Sequence, residues 1–428
     1  MISAQLYGRL TGVSPETLAE KNPGEPANGL VHVVSLSLTK IADGLIDPKL
    51  VLAWLLNSLG APGVFIGALV PVREAGALLP QLALTRVVER QESVKRFWAL
   101  GAVLQGLAAV GIAGSAFTLE GSAAGLAVVL CLALLACARS MCSISYKSAL
   151  ALTIGKSRRG AVSGLAGTVA STGVLAFGAG LALGVIPLTT MAIATAVLLA
   201  GVFWIAGAVL FLLLKEKAAT STASDDGFVD AILGPLYKDP QLRRFIAARA
   251  FLTATALAPP FLVLLADTGS QNGLGQLGPM VLASAAASIV SAYVWGRLSD
   301  HSSRLTLAIS GGLGAAVLGA SAVVGGTVGG LGGAAGAAAA VFAAQIAYEG
   351  VRSGRKIHLT DMTSDDERFR YTAISNTAIG VVLLAGGGFG VLADVAGPEW
   401  TLAALAAICL AAVSLALTLD EVQSESRS

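Results

Sequence analysis

Charged side chains are scarce in this sequence. Of its 428 residues, 13% are Asp, Glu, Lys or Arg, whereas 55% are hydrophobic and 51 are glycine. This composition lies outside the range of soluble globular domains and inside that of helical membrane proteins. Histidine and cysteine are also rare: His32, His301 and His358 are scattered, and the four cysteines all lie in apolar stretches. The sequence therefore predicts neither a metal site nor a disulfide framework.

Several functional motifs are missing as well. No Gly-x-x-x-x-Gly-Lys-Ser/Thr motif occurs, so the phosphate-binding loop of an ATP-driven pump is not predicted. Nothing resembles a set of nucleophile, base and metal, so a membrane enzyme has no support. The net charge of +2 says nothing about partners. We expect no cofactor and no nucleic-acid partner.

What the sequence does contain is a series of long apolar runs. An apolar run of about 20 residues crosses a bilayer as a helix, because lipid offers the backbone no hydrogen-bond partners. The two-residue alternation of barrel strands is absent. We therefore predict an all-α polytopic membrane protein with twelve transmembrane helices. The predicted spans are residues 31–54, 64–84, 97–117, 122–142, two within 161–214, 245–266, 277–295, 305–324, 333–351, 371–391 and 401–419.

The chain reads as two copies of one six-helix unit. A shift of 211 residues carries Arg86 onto Arg297, Glu89 onto Asp300 and Pro48 onto Pro259. The predicted domains are an N-terminal tail (1–30), a six-helix bundle (31–214), a polar linker (215–244), a second six-helix bundle (245–419) and a C-terminal tail (420–428). The linker is the one long polar segment inside the chain.

The cations predict the orientation in the membrane. Lys and Arg cluster in every second loop, whereas the loops near Gly60, Glu120, Pro187, Gly329 and Pro398 contain none. Because Lys and Arg accumulate on the cytoplasmic side, we predict that both termini and the linker are cytoplasmic. We expect a multi-pass protein of a bacterial inner (plasma) membrane.

One polar segment carries a family resemblance. Gly296-Arg-Leu-Ser-Asp-His-Ser-Ser-Arg304 resembles the Gly-x-Leu-x-Asp-Arg-x-Gly-Arg loop of the major facilitator superfamily. Gly296, Asp300 and Arg304 match that pattern, whereas Ser303 replaces its second glycine. The earlier copy, with Arg86, has Thr85 for Gly and Glu89 for Asp.

The resemblance implies a monomeric secondary transporter for a small molecule, with a binding site between its two halves. It also implies that the acid of each loop closes the cytoplasmic side by capping a neighbouring helix end. The alternative is that these are solvated loop charges. The predicted gate-loop residues are Arg86, Glu89, Gly296, Arg297, Asp300 and Arg304.

Charged side chains inside the first span are expected to have a functional or structural role, because a charge at the bilayer centre costs roughly 3 kcal/mol on insertion scales. Lys40, Asp43 and Asp47 are spaced i, i+3 and i+7, which places all three on one helix face. We expect this face to point into the bundle and line the transport path. The alternative is a Lys–Asp pair that only holds helices together.

Other spans carry further charges. Arg73 and Glu74 are adjacent on span two and point about 100° apart, so each needs a different partner. Glu74 is either a proton site or a member of a structural ion network. Arg139 on span four resembles the Arg of the family's Arg-x-x-x-Gly-x-Gly stretch, which implies proton coupling or substrate anchoring. Glu349 is its counterpart on span ten, unless solvent reaches it.

Two functional hypotheses remain open. The first is a secondary transporter driven by an ion gradient, with protons as the expected coupling ion. The second is a transporter-shaped sensor or assembly factor that shows no flux. The sequence determines neither the substrate nor the direction of transport.

Overall fold

The computed structural model describes residues 7, 24–81, 84, 93–155, 158–216, 236–237, 239–268, 276–363 and 365–423. These residues form helices and turns, with no strand among them. In chain order the helices are α1 (Glu25–Leu45), α2 (Val51–Ser58), α3 (Gly63–Leu78), α4 (Val94–Thr118), α5 (Gly121–Thr153), α6 (Arg159–Ala182), α7 (Thr190–Phe211), α8 (Pro240–Leu252), α9 (Ala254–Leu257), α10 (Pro259–Thr268), α11 (Leu277–His301), α12 (Ser303–Val328), α13 (Gly333–Asp361), α14 (Asp365–Gly386), α15 (Phe389–Ala396) and α16 (Pro398–Leu417).

The predicted all-helical membrane protein is confirmed, but twelve spans are not. Within the described residues, 9 helical segments are long and apolar enough to cross a membrane, and the bent helix α11 would make 10. The shortfall lies at the start of the chain. The apolar run of helix α1 is interrupted by Lys40 and Asp43. Helix α2 has 8 residues and α3 has 16, so neither is long enough to count as a span. The chain is an integral multi-pass membrane protein.

The first predicted span is not one helix. Helix α1 ends at Leu45, and α2 begins at Val51. Asp47 lies in the break, where its Oδ1 accepts hydrogen bonds from the amides of Lys49 at 2.7 Å and Leu50 at 3.1 Å. Pro48 disfavours helical backbone at Asp47, and the short carboxylate stabilises the turn. The prediction that Asp47 shares a helix face with Lys40 and Asp43 was therefore wrong.

The same interruption recurs in the second half of the chain. Helices α8, α9 and α10 follow one another with breaks at Thr253 and Ala258, and α10 begins at Pro259. A proline at the first helical position loses no hydrogen bond there. Pro48 and Pro259, which the repeat offset superimposes, thus both stand where a helix is interrupted.

Several helices are longer than their apolar runs. Helix α5 has 33 residues and α13 has 29. At 1.5 Å per residue both exceed the roughly 30 Å thickness of hydrocarbon. Helices α1 and α8 likewise begin inside the predicted tail and linker, at Glu25 and Pro240. The segment from Gly296 is no loop either, because α11 runs to His301 and α12 begins at Ser303.

The bundle has two ends, which carry different contacts. We call the end that contains residues 59–62, 119–120, 183–189 and 397 the turn end. The opposite end, with residues 154–155, 212–216, 302 and 362–363, is the linker end. Helices α1–α7 form the N-half and helices α8–α16 form the C-half.

The two halves meet closely at the turn end. The amides of Gly63 and Val64, at the start of α3, donate to the carboxylate of Asp394 on α15, at 2.5 and 2.8 Å. Asn57 Nδ2 donates to Asp267 Oδ2 at 2.8 Å. A methyl group added to Gly67 would lie 2.4 Å from the Cα of Gly390. Glycines therefore allow direct backbone contact, while Asp394 supplies a helix cap across the interface.

Hydrogen bonds at the linker end join partners within one half. In the C-half, Tyr371 Oη donates to Asp239 Oδ2 at 2.9 Å. In the N-half, Arg158 Nη2 donates to Glu25 Oε2 at 2.7 Å, its Nε contacts Oε1, and Tyr7 Oη donates to Oε1 at 3.1 Å.

Burial would raise the pKa of the Glu25 carboxyl, but the hydrogen bonds and charge of Arg158 outweigh it and lower that pKa. Burial, together with Glu25, raises the pKa of Tyr7 to about 12.

Candidate functional site

A buried ion cluster joins α1, α3 and α5 in the N-half. Asp43 on α1 accepts a hydrogen bond from Arg73 Nη2 at 2.9 Å, and both of its oxygens contact Arg139 Nη1. Helices α3 and α5 approach closely here, since a methyl group on Gly76 would lie 2.7 Å from Cβ of Ala136. The adjacent Arg73 and Glu74 thus do not pair: Arg73 reaches α1, whereas Glu74 points elsewhere.

The cluster faces a cavity rather than a closed core. The side chains of Asp43 and Arg139 are 23% and 35% exposed, whereas that of Arg73 is 9% exposed. One carboxylate is shared by two guanidinium groups, so the cluster carries a net positive charge. Only Nη1 of Arg139 is used by Asp43, and its Nε and Nη2 bond to none of the described residues.

This N-half cavity has a volume of about 290 Å³ and lies between α1, α4, α5 and α7. Lys40 lines it and makes no hydrogen bond or ion pair with the described residues. Gln105 also lines it and is 2% exposed; its Nε2 donates to the Gly101 carbonyl at 3.3 Å, while its Oε1 has no partner among the described residues. The remaining lining residues with rings or charges are Asp43, Trp98, Arg139, Tyr146, Lys147 and Trp204.

Lys49 connects the two halves near this cluster. Its Nζ lies 3.1 Å from the ring centroid of Tyr348 on α13, a cation–π contact between the halves. Asp47 holds the turn that carries Lys49, through the backbone bonds described above. Asp47 therefore positions Lys49 through the backbone, and its charge acts on Arg73 from the turn rather than from the helix face.

A second, narrower cavity lies between the halves, beside the Tyr348 ring that Lys49 contacts. It is lined by Glu74 from the N-half and by Arg249, Tyr348, Arg352 and Arg355 from the C-half. Glu74 has no hydrogen bond or ion pair with any described side chain, although the charges of Lys49, Arg73 and Arg355 act on it. Glu74 is thus a carboxylate surrounded by cations without direct contact to one.

Arg249 of the C-half is a buried cation, at 7% exposure. Its Nη1 donates to Ser375 Oγ at 2.6 Å and its Nη2 to Asn376 Oδ1 at 2.9 Å. Both acceptors are neutral, and Nε has no partner in the described part of the chain. The Arg249 guanidinium is therefore held without an ion pair to any described residue.

Glu349 on α13 does not join the Asp43 cluster. It accepts a hydrogen bond from Gln345 Nε2 at 3.0 Å and lies 3.6 Å from Arg352 Nη1. Its side chain is 18% exposed, whereas that of Arg352 is 62% exposed. Arg352 acts electrostatically on Arg139, which places Glu349 at the edge of the same charged region.

The structure places most of the predicted path residues in the N-half cavity or at its border with the C-half. Lys40, Asp43 and Arg139 line the N-half cavity, Arg73 contacts Asp43, and Glu74 lines the narrower cavity between the halves, where Arg352, the partner of Glu349, also lies. The sequence reasoning left Arg249 out of the path, and it missed Arg352 and Arg355. Their three-residue spacing on one apolar helix was the available signal. The cations of the region are Lys40, Lys49, Arg73, Arg139, Lys147, Arg249, Arg352 and Arg355, against the acids Asp43, Asp47, Glu74 and Glu349.

The predicted gate-loop residues are not gathered in this way. Arg86 and Glu89 lie outside the described residues. Gly296 and Arg297 belong to α11, where Arg297 Nη1 donates to Tyr293 Oη at 3.0 Å. Asp300 is exposed and bonds to nothing in the described ranges. Arg304 lies 3.5 Å from Glu421 Oε2 and donates to the Leu419 carbonyl. A capping role for Asp300 stays a prediction for a state closed at the linker end.

Comparisons with known proteins identify the architecture. Neither a protein-family model nor a curated protein sequence matches the chain. Solved structures do match. A mutant of the nucleoside transporter NupG gives a TM-score of 0.73 at 13% identity, covering 92% of this chain and 100% of that one. A POT family transporter in complex with a thioalcohol-conjugated peptide gives 0.67 at 12% identity, with 91% and 95% covered.

The inward-open xylose transporter XylE from E. coli gives a TM-score of 0.65 at 12% identity, covering 91% of this chain and 95% of that one. At these identities the likeness concerns the fold, since function on a shared fold depends on the site. The chain therefore has the fold of the major facilitator superfamily, as the segment from Gly296 to Arg304 implied.

Proposed function

We propose that the chain is a secondary active transporter, which moves a small solute across the membrane by alternating access and uses a proton gradient. The observation that carries this proposal is the set of charges in the N-half cavity and at the adjoining border between the two halves. A buried set of charges is costly in a membrane protein and is retained where it lines a path for solutes or ions. In transporters built from two repeats, the site lies at the interface between those repeats.

The contacts between the halves support alternating access. Among the described residues, the side-chain hydrogen bonds across the turn end are a helix cap by Asp394 and one amide–carboxylate bond from Asn57. We propose that these contacts break when the turn end opens, while the capping contacts that the sequence predicts for Asp300 and Glu89 form at the linker end. The linker end and both termini would face the cytoplasm of a cell with an inner (plasma) membrane. The transporter would act as a monomer.

Glu74 is the residue we propose as the proton carrier. A coupling carboxyl must gain and lose a proton during the cycle, so it cannot be locked in a tight ion pair. Asp43 is held by two arginines, and Asp47 is held by backbone amides. Glu74 has neither kind of partner among the described residues, and it lies where N-half and C-half meet.

Flux in proteoliposomes tests both parts of the proposal. The solutes to screen include nucleosides, short peptides, xylose and organic anions, with and without a pH gradient. Glu74→Gln keeps the shape of the side chain and removes its titration, so gradient-driven uptake should be lost while exchange at equal concentrations survives. Glu120→Gln, at the turn end and away from the charged region, is the matched control and should behave as wild type.

The outcomes separate the hypotheses. Normal gradient-driven uptake by a folded Glu74→Gln protein would remove Glu74 as the carrier. Absence of flux for every solute, in a protein that still binds one of them, would favour the alternative of a sensor or assembly factor.

A further inference from the structure

We infer that the transported solute is an organic anion, and that its acidic group binds in the N-half cavity between Lys40 and Arg139. This inference rests on the proposed function, because it names the substrate class of the same site. It is carried by three features of the cavity: its excess of positive charge, the unused donor groups of Lys40 and Arg139, and the buried acceptor and aromatic walls around them.

The first feature is the excess of positive charge. Asp43 is shared by Arg73 and Arg139, and Lys40 has no ion pair within the described residues. Across the interface, Arg249 is bound only by neutral groups. Arg352 and Arg355 of the C-half add further positive charge at the border of the halves, with Glu74 as the acid that lines that narrower cavity. Cations held together in a place of low dielectric are costly unless an anion completes them.

The second feature is the free geometry of the two cations. Arg139 uses only Nη1 for Asp43, so the rest of its guanidinium remains for a planar acidic group. Lys40 Nζ lies beside Gly167 of α6, where an added methyl group would be at 3.6 Å, and its three N–H donors bond to none of the described residues. A carboxylate or phosphate accepts from both donor types, whereas a neutral sugar hydroxyl gains far less from them.

The third feature defines the rest of the ligand. Gln105 is 2% exposed, lines the cavity and presents an Oε1 without a partner in the described part of the chain. A buried acceptor of this kind is completed by a hydroxyl or N–H donor. Trp98 and Trp204 supply flat apolar walls. The cavity volume of about 290 Å³ lies at the small end of ligand sites. The expected ligand is a compact organic acid with a ring or short apolar body and one donor group.

Binding to the purified full chain in detergent tests this without requiring flux. The probes are 4-hydroxybenzoate, benzoate, phenyl phosphate, inorganic phosphate and the neutral 4-hydroxybenzamide, with tryptophan fluorescence as the signal. We expect 4-hydroxybenzoate or phenyl phosphate to bind, and 4-hydroxybenzamide to bind roughly tenfold to a hundredfold more weakly, as expected for loss of charge-assisted bonds. Inorganic phosphate separates recognition of the acidic group alone from recognition of the whole ligand.

Two variants locate the site. Lys40→Gln should weaken binding of the organic acids about tenfold or more, and it should not disturb folding because Lys40 bonds to no described residue. Gln105→Leu should abolish the preference for 4-hydroxybenzoate over benzoate while leaving benzoate affinity nearly unchanged. Lys356→Gln removes the same charge from an exposed position on α13 and should leave binding as in wild type.

Three results would overturn the inference. One is equal binding of the acid and its amide. Another is wild-type affinity for the acids in a folded Lys40→Gln protein. The third is no signal from any anion at about 1 mM, a concentration that detects even weak complexes. If one of these three results is found but a neutral solute is transported, the transporter proposal stands and only the anion inference fails. If anions bind but no solute is transported, the transport proposal fails and the anion-binding site in the N-half cavity stands.

Discussion

Replacement of Asp43 is the sharpest test of the ion cluster. Asp43→Asn keeps the size of the side chain but leaves Arg73 and Arg139 facing each other without a counter-charge. Removing one partner of a buried ion pair typically costs about 3 to 5 kcal/mol. Arg73 is 9% exposed and bears this cost almost fully, whereas Arg139 is 35% exposed and water screens part of its charge. We therefore expect a loss near the lower end, about 3 kcal/mol.

Replacement of Arg73 tests the same ion pair from the side of the cation. Arg73→Gln leaves Asp43 paired with Arg139, so it should cost only about 1.5 to 3 kcal/mol, the value of a charge-assisted hydrogen bond. In the double variant, Asp43→Asn with Arg73→Gln, one cation has gone with the acid. Its stability should therefore exceed that of Asp43→Asn alone, with a coupling energy of about 0.5 to 3 kcal/mol.

Unfolding in mixed micelles, followed by loss of tertiary signal, measures these free energies. Asp300→Asn makes the same chemical change at an exposed position without contacts among the described residues. It should stay within about 0.5 kcal/mol of wild type. An Asp43→Asn protein as stable as this control would refute the cluster as a buried ion network. A double variant no better than the Asp43→Asn single variant would refute the pairing with Arg73.

Two further predictions concern the ends of the bundle. Asp394→Asn should weaken the cap on α3 by about 0.5 to 2 kcal/mol. Val281, near the start of α11, is 5% exposed and packs against Gly178 of the N-half, so an impermeant maleimide should label Val281→Cys faster in a cysteine-free background; an unchanged labelling rate would show that the cap does not hold the turn end. At the linker end, Arg158 lowers the pKa of Glu25 relative to the unfolded chain. The stability of this pair is therefore present above the unfolded pKa of about 4.3 and is lost as the pH falls through the lower folded value. The stability difference between wild type and Glu25→Gln should hold from neutral pH to about pH 5 and shrink below it; a difference independent of pH in thermal unfolding would contradict the pairing.

The class of the protein could be predicted from the sequence because each segment in lipid must satisfy its own backbone hydrogen bonds. Long uncharged runs must become helices in a bilayer, whatever their neighbours are. Charges inside those runs must face the bundle interior, so Lys40, Asp43 and Arg139 could be selected without coordinates. The segment from Gly296 to Arg304 then indicated the fold. The repeat offset also matched Pro48 with Pro259, and both stand at helix interruptions.

The contact partners of the buried charges and the ends of the helices depended on the tertiary structure. Spacing alone put Asp47 on the face of Lys40 and Asp43, but Pro48 ends that helix and turns the Asp47 carboxylate to the backbone. The neighbours of Arg73 and Glu74 could not be predicted, since an angle of 100° does not tell which helix lies opposite. Arg249, Arg352 and Arg355 join the region only because the C-half packs against the N-half there.

By itself, then, the sequence determined a helical membrane protein with buried charges, since hydropathy and the cost of burying charge are properties of each segment. Only the tertiary structure decided that Asp43 is shared by two arginines, that Glu74 has no described partner, and that Gln105 presents an unused acceptor beside Lys40. These are relations between helices far apart in the chain. They follow from how small residues such as Gly76 and Gly67 let the helices approach, which no single segment encodes.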